Sequence, residues 1–298
     1  MILNRANLDA ATTGFRTIFN GAFSGAKNAD HYKRLAMVVP STTSKNTYPW
    51  LVDNFEIREW VGERVEQNLL TADFTIQNKD FEGTVTVPRN AIADDELGVF
   101  TPMFQQMGAA TATFPNRLVF PLLKAGFTTL CWDGQYFFDT DHPGFDENGN
   151  EVSVSNFMGG AGAPWFLVAS SGPLLPLIFQ EREKFQFVAK DRPTDDNVFS
   201  QKKHVYGVDG RMNVGFGMPQ LVVASKQPLT HANYAAAKAA FAAWHKKSGE
   251  PLGLVGDLLV VGQTNEGAAR KVLLNETQPN GESNEWKGSA ELFVTPWL

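Results

Sequence analysis

REWVGERVEQNLLTADFTIQNKDFEGTVTVPRNAIADD, residues Arg58 to Asp95, changes character within a single stretch. From Glu56 to Asp73 the chain is densely charged and partly aromatic. From Phe74 onward it alternates, with Phe74 and Ile76, then Val85 and Val87, at the period of a half-buried strand. Beyond it Phe100, Met103, Phe104, Met107, Ala110, Phe114, Leu118 and Leu122 keep to one helical face. This order predicts a projecting segment mounted on a long helix and built to reach other subunits.

Working outward, the charged part admits two readings. Glu56, Glu59, Glu63 and Glu66 fall at helical spacing, as do Ile57, Val61 and Val65, which fits a surface helix. Gly62 interrupts that run, and the flanking alternation fits a long hairpin. In the helix that follows, Pro102 suits a first-turn position after Thr101, whereas Pro115 lacks a backbone donor and predicts a bend rather than an end. Upstream, Phe15, Ile18, Phe19 and Phe23 predict a short amphipathic helix capped by Thr12 or Thr13, and Met37 to Trp50 a short strand and connector.

Downstream, Asn148-Gly149 is a hairpin signal. PWFLVASS, FQFVA and HVYGVDGRMNVGFGMPQLVVAS read as an antiparallel sheet with Pro173, Pro176 and Pro193 between its strands. THANYAAAKAAFAAWHKKSGEP has the marks of a helix from an N-cap Thr230 to Lys246, Lys247 and a C-terminal Gly249, placing His245 near the helix end. A strand (LGLVGDLLVVG), a helix (EGAARKVLL) and a closing strand (SAELFVTPWL) complete what reads as a separate α/β unit from about residue 228.

The 298 residues are 43% hydrophobic and 12% aromatic, with 23 Phe but only 19% charged residues. That much ring surface fits a phenylalanine-rich private core or large interfaces. A net charge of −6 without a Lys/Arg run argues against direct nucleic-acid binding. Cys131 stands alone, so neither an intrachain disulfide nor a cysteine-based metal cluster is expected. No signal peptide and no run of 18 apolar residues is present, which predicts a protein that folds in a cytoplasm and has no membrane partner.

Catalytic and cofactor signals are weak. Asp139, Asp141, His142, Asp146, Glu147 and Glu151 are dense in oxygen ligands, but without the spacing of a calcium loop they read as a solvated acidic hairpin. GLVGDLLVVG lacks the residues of a phosphate loop, and its glycines read as small residues at strand ends. His31, His142, His204, His231 and His245 are scattered, and Ser170 and Ser171 do not form a nucleophile elbow. No catalytic, metal or cofactor site is assigned.

NTYPW (46–50), REWVGER (58–64), NKDFEGTVTV (78–87), PLIFQ (176–180) and the closing WKGSAELFVTPWL resemble the major head subunits of Mu-like bacteriophages across most of the chain. The resemblance implies an α+β fold of the Hong Kong 97 type, with an N-terminal arm (1–53), an extended loop (54–82), a peripheral domain (83–228) containing a spine helix (98–124), and an axial domain (229–298). In that fold the axial domain usually precedes the last peripheral strands, so the order here implies either a permutation or an exchanged assignment.

It further implies a non-enzymatic major capsid protein that self-assembles as hexamers and pentamers into an icosahedral shell around double-stranded DNA. Its place would be the virion, after assembly in the host cytoplasm. Separate scaffold and portal proteins, and a decoration protein, are the implied partners. Arg58, Glu59, Trp60, Glu63, Arg64 and Glu66 are the expected inter-subunit contacts, with Trp60 as the anchor. Some capsids of this fold crosslink through a loop lysine; Glu56 to Asp73 has none, so no crosslink is expected. The alternatives are a nanocompartment shell of the same fold and a β-rich hydrolase using Asp139, Asp141 or Asp146.

Overall fold

The computed structural model describes residues 5–48, 74–94, 97–278 and 281–298. A helix over Arg5–Ser24 (α1) buries Leu8, Ala11, Phe15 and Phe19. It is already formed at Thr12 and Thr13, so neither is its N-cap. Thr13 instead returns its hydroxyl to the Asp9 carbonyl, 2.8 Å away.

A short helix α2, Arg89–Ala93, precedes the long helix α3, Leu97–Ala125, which is continuous through Pro102, Pro115 and Pro121. The long helix begins a turn before Pro102, which therefore lies inside it. Three missing donors are a large local cost, offset by burial of Phe104, Met107, Val119, Phe120 and Leu123. Asn116 is fully buried in the same helix, where its Oδ1 accepts the Tyr32 amide and its Nδ2 donates to the Asn28 carbonyl, each at 2.8 Å.

Two large sheets and two hairpin-sized pairs share the described residues. The first is four-stranded, with β1 (Ala36–Pro40), β9 (Leu177–Lys190), β10 (Lys203–Phe216) and β4 (Lys79–Pro88) in that spatial order. β9 and β10 are long antiparallel partners, joined through the short helix α4, Asp196–Gln201. Over this sheet α1 packs on α3, and Phe15 stacks on Phe104 with ring centroids 4.2 Å apart.

The second sheet is five-stranded, in the order β13 (Glu291–Val294), β12 (Leu258–Val261), β8 (Trp165–Val168), β11 (Val222–Lys226), β7 (Phe157–Gly160). Every residue of β8 and β12 is buried, as expected of strands covered on both faces. Helices α5 (His231–Ala240) and α6 (Gln263–Leu273) supply Tyr234, Ala237, Ala269 and Val272 to one side. Phe120, Phe137, Phe138, Phe166, Phe179 and Phe216 lie in a core joining the two sheets, so much of the ring surface is consumed internally.

Two expectations change. The strands grouped into one sheet divide between two, and β8 pairs with β11 before residue 228 and with β12 after it, so 228 separates no sheet from another. The helix starting at Thr230 ends at Ala240 with one 3-10 turn after it, not at Gly249. Trp244 is buried, and His245 forms isolated bridges with Phe145 and Pro251, which pull the chain off the helical path. His245 therefore does not serve a helix dipole. The Asn148-Gly149 hairpin is present between β5 (His142–Phe145) and β6 (Glu151–Val154).

Candidate assembly surface

The described residues on either side of the charged stretch are paired with each other. β2 (Lys45–Thr47) and β3 (Thr75–Gln77) pair antiparallel, and the Tyr48 amide donates to the Phe74 carbonyl at 3.0 Å. A buried polar chain fixes this base to the four-stranded sheet. The Tyr48 hydroxyl donates to Gln180 Oε1 at 2.6 Å, and Gln180 Nε2 donates to Asn78 Oδ1 at 2.7 Å and to the Ile76 carbonyl at 3.1 Å. Asn78 Nδ2 continues to the Ser41 hydroxyl and the Thr43 carbonyl. The expected contact residues Arg58, Glu59, Trp60, Glu63, Arg64 and Glu66 lie outside the described residues, as does most of the expected extended loop.

A groove of about 910 Å³ opens between α1 and the β9–α4–β10 segment. Arg5, Arg16, Arg89, Arg192 and Lys202 line it, against Asp9 and Asp191. Inside, the Thr12 hydroxyl donates to Asp191 Oδ2 at 2.5 Å and lies 3.2 Å from the Tyr206 hydroxyl. Burial pushes the Tyr206 phenol up to about 12. His204 is buried on the same wall, and neither ring nitrogen has a hydrogen-bond partner of good geometry among the described residues. Burial lowers its pKa, with the Arg89 charge acting in the same direction. Phe199 of α4 is 86% exposed at the rim. A cationic, aromatic-edged groove of this kind suits an acidic segment with apolar side chains.

The acidic hairpin is mostly solvated, as its composition suggested. Asp146 caps its own turn, accepting from the Asn148 and Asn150 amides at 2.8 Å, and the Asn150 hydrogen bonds hold its carboxyl below the ordinary range. His142 departs from the set. It is fully buried, with Nδ1 2.6 Å from Asp133 Oδ2, while the Cys131 thiol donates to Asp133 Oδ1 at 2.9 Å. The residue types match a nucleophilic triad but the connectivity does not, since the thiol faces the carboxylate rather than the imidazole. Burial, then the Asp133 carboxylate, pushes the Cys131 thiol up, so it is no ready nucleophile. The overlooked signal was Asp133-Gly134, a turn dipeptide that places Cys131 and Asp133 on the same side.

The remaining motifs are structural. Ser170 and Ser171 donate to Asp257. Gly256 fits against Leu167 and Phe241, and Gly262 against Leu298. Among the described residues no helix is long and apolar enough to cross a membrane.

The family described as the Mu-like prophage major head subunit gpT matches residues 8–298. The chain is 39% identical to the major capsid protein of Escherichia phage Mu over the whole of both sequences. It is 37% identical to the FluMu major head subunit of Haemophilus influenzae, with 92% of each covered. Its structure is similar to a chain of the bacteriophage JBD30 procapsid, with a TM-score of 0.86 and 40% identity over 99% of this chain and 100% of that one. It is also similar to a chain of the JBD30 capsid, with a TM-score of 0.76 and 30% identity over 92% and 93%. A fold of two sheets braced by a proline-bearing helix, matched from end to end, places this chain in the family of Mu-like phage major head subunits.

Proposed function

We infer that this chain is the major capsid protein of a Mu-like tailed phage, a structural subunit that self-assembles into the icosahedral head. The observation that carries this reading is the end-to-end match to a procapsid chain at 40% identity. Function in such a protein lies in repeated heterologous contacts that close a shell. The four-stranded sheet with α1 and α3 is the candidate peripheral domain. The five-stranded sheet with α5 and α6 is the candidate axial domain, entered before β9 and re-entered after β10.

Residues 49–73 carry Asp53, Glu56, Glu59, Glu63, Glu66 and Asp73 against Arg58 and Arg64. This acidity complements the cationic groove beside α1 on a neighbouring copy. Arg58, Glu59, Trp60, Glu63, Arg64 and Glu66 are assigned to that contact, with Trp60 as its apolar anchor. Hexamers and pentamers are the expected capsomers. The net charge of −6 suits a wall that encloses DNA without gripping it.

Scaffold and portal functions belong to separate proteins. A decoration protein is a further partner, a reading supported by the similarity to a JBD30 capsid described as decorated with minor capsid protein trimers. Electron microscopy of the purified full chain under assembly conditions tests the function. Closed shells or capsomer rings are expected; a monomer or dimer under every condition rules the reading out.

A further inference from the structure

The polar cluster around His142 is not used by any assembly contact described above. It is built by two local devices. The turn Cys131–Gln135 is closed by the Cys131 amide donating to the Gln135 carbonyl at 2.8 Å, with Gly134 at a φ of 84° that a side chain would strain. Cys131 and Asp133 thereby point inward together. His142, the first residue of β5, meets them from the opposite side, and its side chain is 1% exposed against 2% for that of Asp133. One ligand atom from each of Cys131, Asp133 and His142 lies within 4.8 Å of the others.

Asn156 fixes the far edge of the ring. Its Nδ2 donates to the Phe137 and Pro219 carbonyls at 2.8 and 3.0 Å, so its Oδ1 is the acceptor facing the Asp139 amide and His142 Nε2. The ring therefore carries a proton on Nε2, 3.2 Å from that oxygen, and directs Nδ1 at the Asp133 carboxylate. An imidazole whose outer N–H is held by a fixed acceptor, with the inner nitrogen turned toward a thiol and a carboxylate, is the arrangement of a metal-binding histidine and its supporting contact.

We propose that Cys131, Asp133 and His142 form a buried site for one thiophilic divalent cation of the zinc class. Metal binding requires the Cys131 thiol to give up its proton to solvent and His142 Nδ1 to present its lone pair, so that thiolate, carboxylate and imidazole surround the cation. The donor set of thiolate, imidazole and carboxylate selects Zn²⁺ or Co²⁺ over Mg²⁺ and Ca²⁺.

Zinc bonds of about 2.3 Å to sulfur and about 2.0 Å to nitrogen or oxygen place tetrahedral ligand atoms roughly 3.5 Å apart. The present contacts of 2.9 and 2.6 Å must therefore open by less than about 1 Å. The exposed rim of the turn, Gly134 and Tyr136, gives the movement room. Three protein ligands leave the fourth position to water.

Titration of the purified, metal-stripped full chain with Co²⁺ tests the site. About one equivalent should bind per chain, with a thiolate-to-cobalt charge-transfer band in the near ultraviolet and the visible bands of a four-coordinate ion. Zn²⁺ should displace it and Mg²⁺ should not. Cys131→Ser should abolish the charge-transfer band and weaken binding by at least about tenfold. The wild-type spectrum decides the matter even if that variant does not fold. Absence of the band, together with no zinc retained after desalting, overturns the proposal and leaves the cluster as a hydrogen-bonded lock filled by protons.

Discussion

Gly108 of α3 faces the backbone of Phe19 in α1 with no space for a side chain: a Cβ there would meet the Phe19 carbonyl and lie 3.0 Å from the Ala22 methyl. At Gly108 the backbones of α1 and α3 thus approach too closely for a side chain between them. Gly108→Ala gains helix propensity, about 1 kcal/mol, but must push α1 away. Because the obstruction is main chain rather than a movable side chain, we expect a net loss of about 1–3 kcal/mol in urea unfolding.

Asn116 ties α3 to the 3-10 turn Ala29–Arg34 and its N-cap Asn28 through two hydrogen bonds. Asn116→Leu leaves the Tyr32 amide and the Asn28 carbonyl without that partner, and each orphaned group costs about 1–3 kcal/mol. A large drop in urea midpoint with an unchanged slope is expected. An unchanged midpoint would show that water replaces the carboxamide.

Charge reversal in the groove separates assembly from folding. Arg16→Glu with Arg192→Glu should leave the melting temperature of unassembled protein within a few degrees, since both side chains are exposed. Shell yield by light scattering should fall. Restoring yield with Glu59→Arg and Glu63→Arg would tie the groove to the loop, and failure of every such swap would remove that contact.

The fold and the site differ in how much the sequence discloses. α3 is legible because its apolar period persists over many turns, and three prolines do not alter that period. The end of α5 is not: Lys246, Lys247 and Gly249 mimic a helix stop, while the bridges from His245 to Phe145 and Pro251 that end it are long-range. Sheet membership is hidden for the same reason. Trp165–Val168 and Leu177–Phe179 are both fully buried apolar runs, yet they join different sheets. In the cluster, His142 sits among exposed acids in sequence, and only the fold turns it inward toward Cys131 and Asp133.

His204 predicts a pH dependence. Burial holds its pKa below the ordinary 6.5, so the unfolded chain takes up a proton first as the pH falls. Its contribution is fully present above about pH 6.5 and is lost progressively toward the lower folded value. His204→Gln should flatten the acid side of a plot of melting temperature against pH between about 5 and 7, with little change at pH 8.

Glu56 to Asp73 contains no lysine. Shells boiled in denaturant should therefore release a single species of 32.8 kDa by intact mass. Covalent oligomers would show that another residue makes the bond.

The hydrogen bond between Tyr48 and Phe74 has a consequence for how such a chain diverges. That pair closes the circuit that residues 49–73 complete, and closing a circuit costs little more when it is lengthened. On the proposed contact between that segment and the groove, substitution, insertion or exchange there is screened by the neighbouring subunit, while the buried chain from Tyr48 through Gln180 to Asn78 and Ser41 is screened by folding. The two parts are free to change at separate rates, and lineages of such heads can alter the reach of their contacts without rebuilding the subunit that carries them.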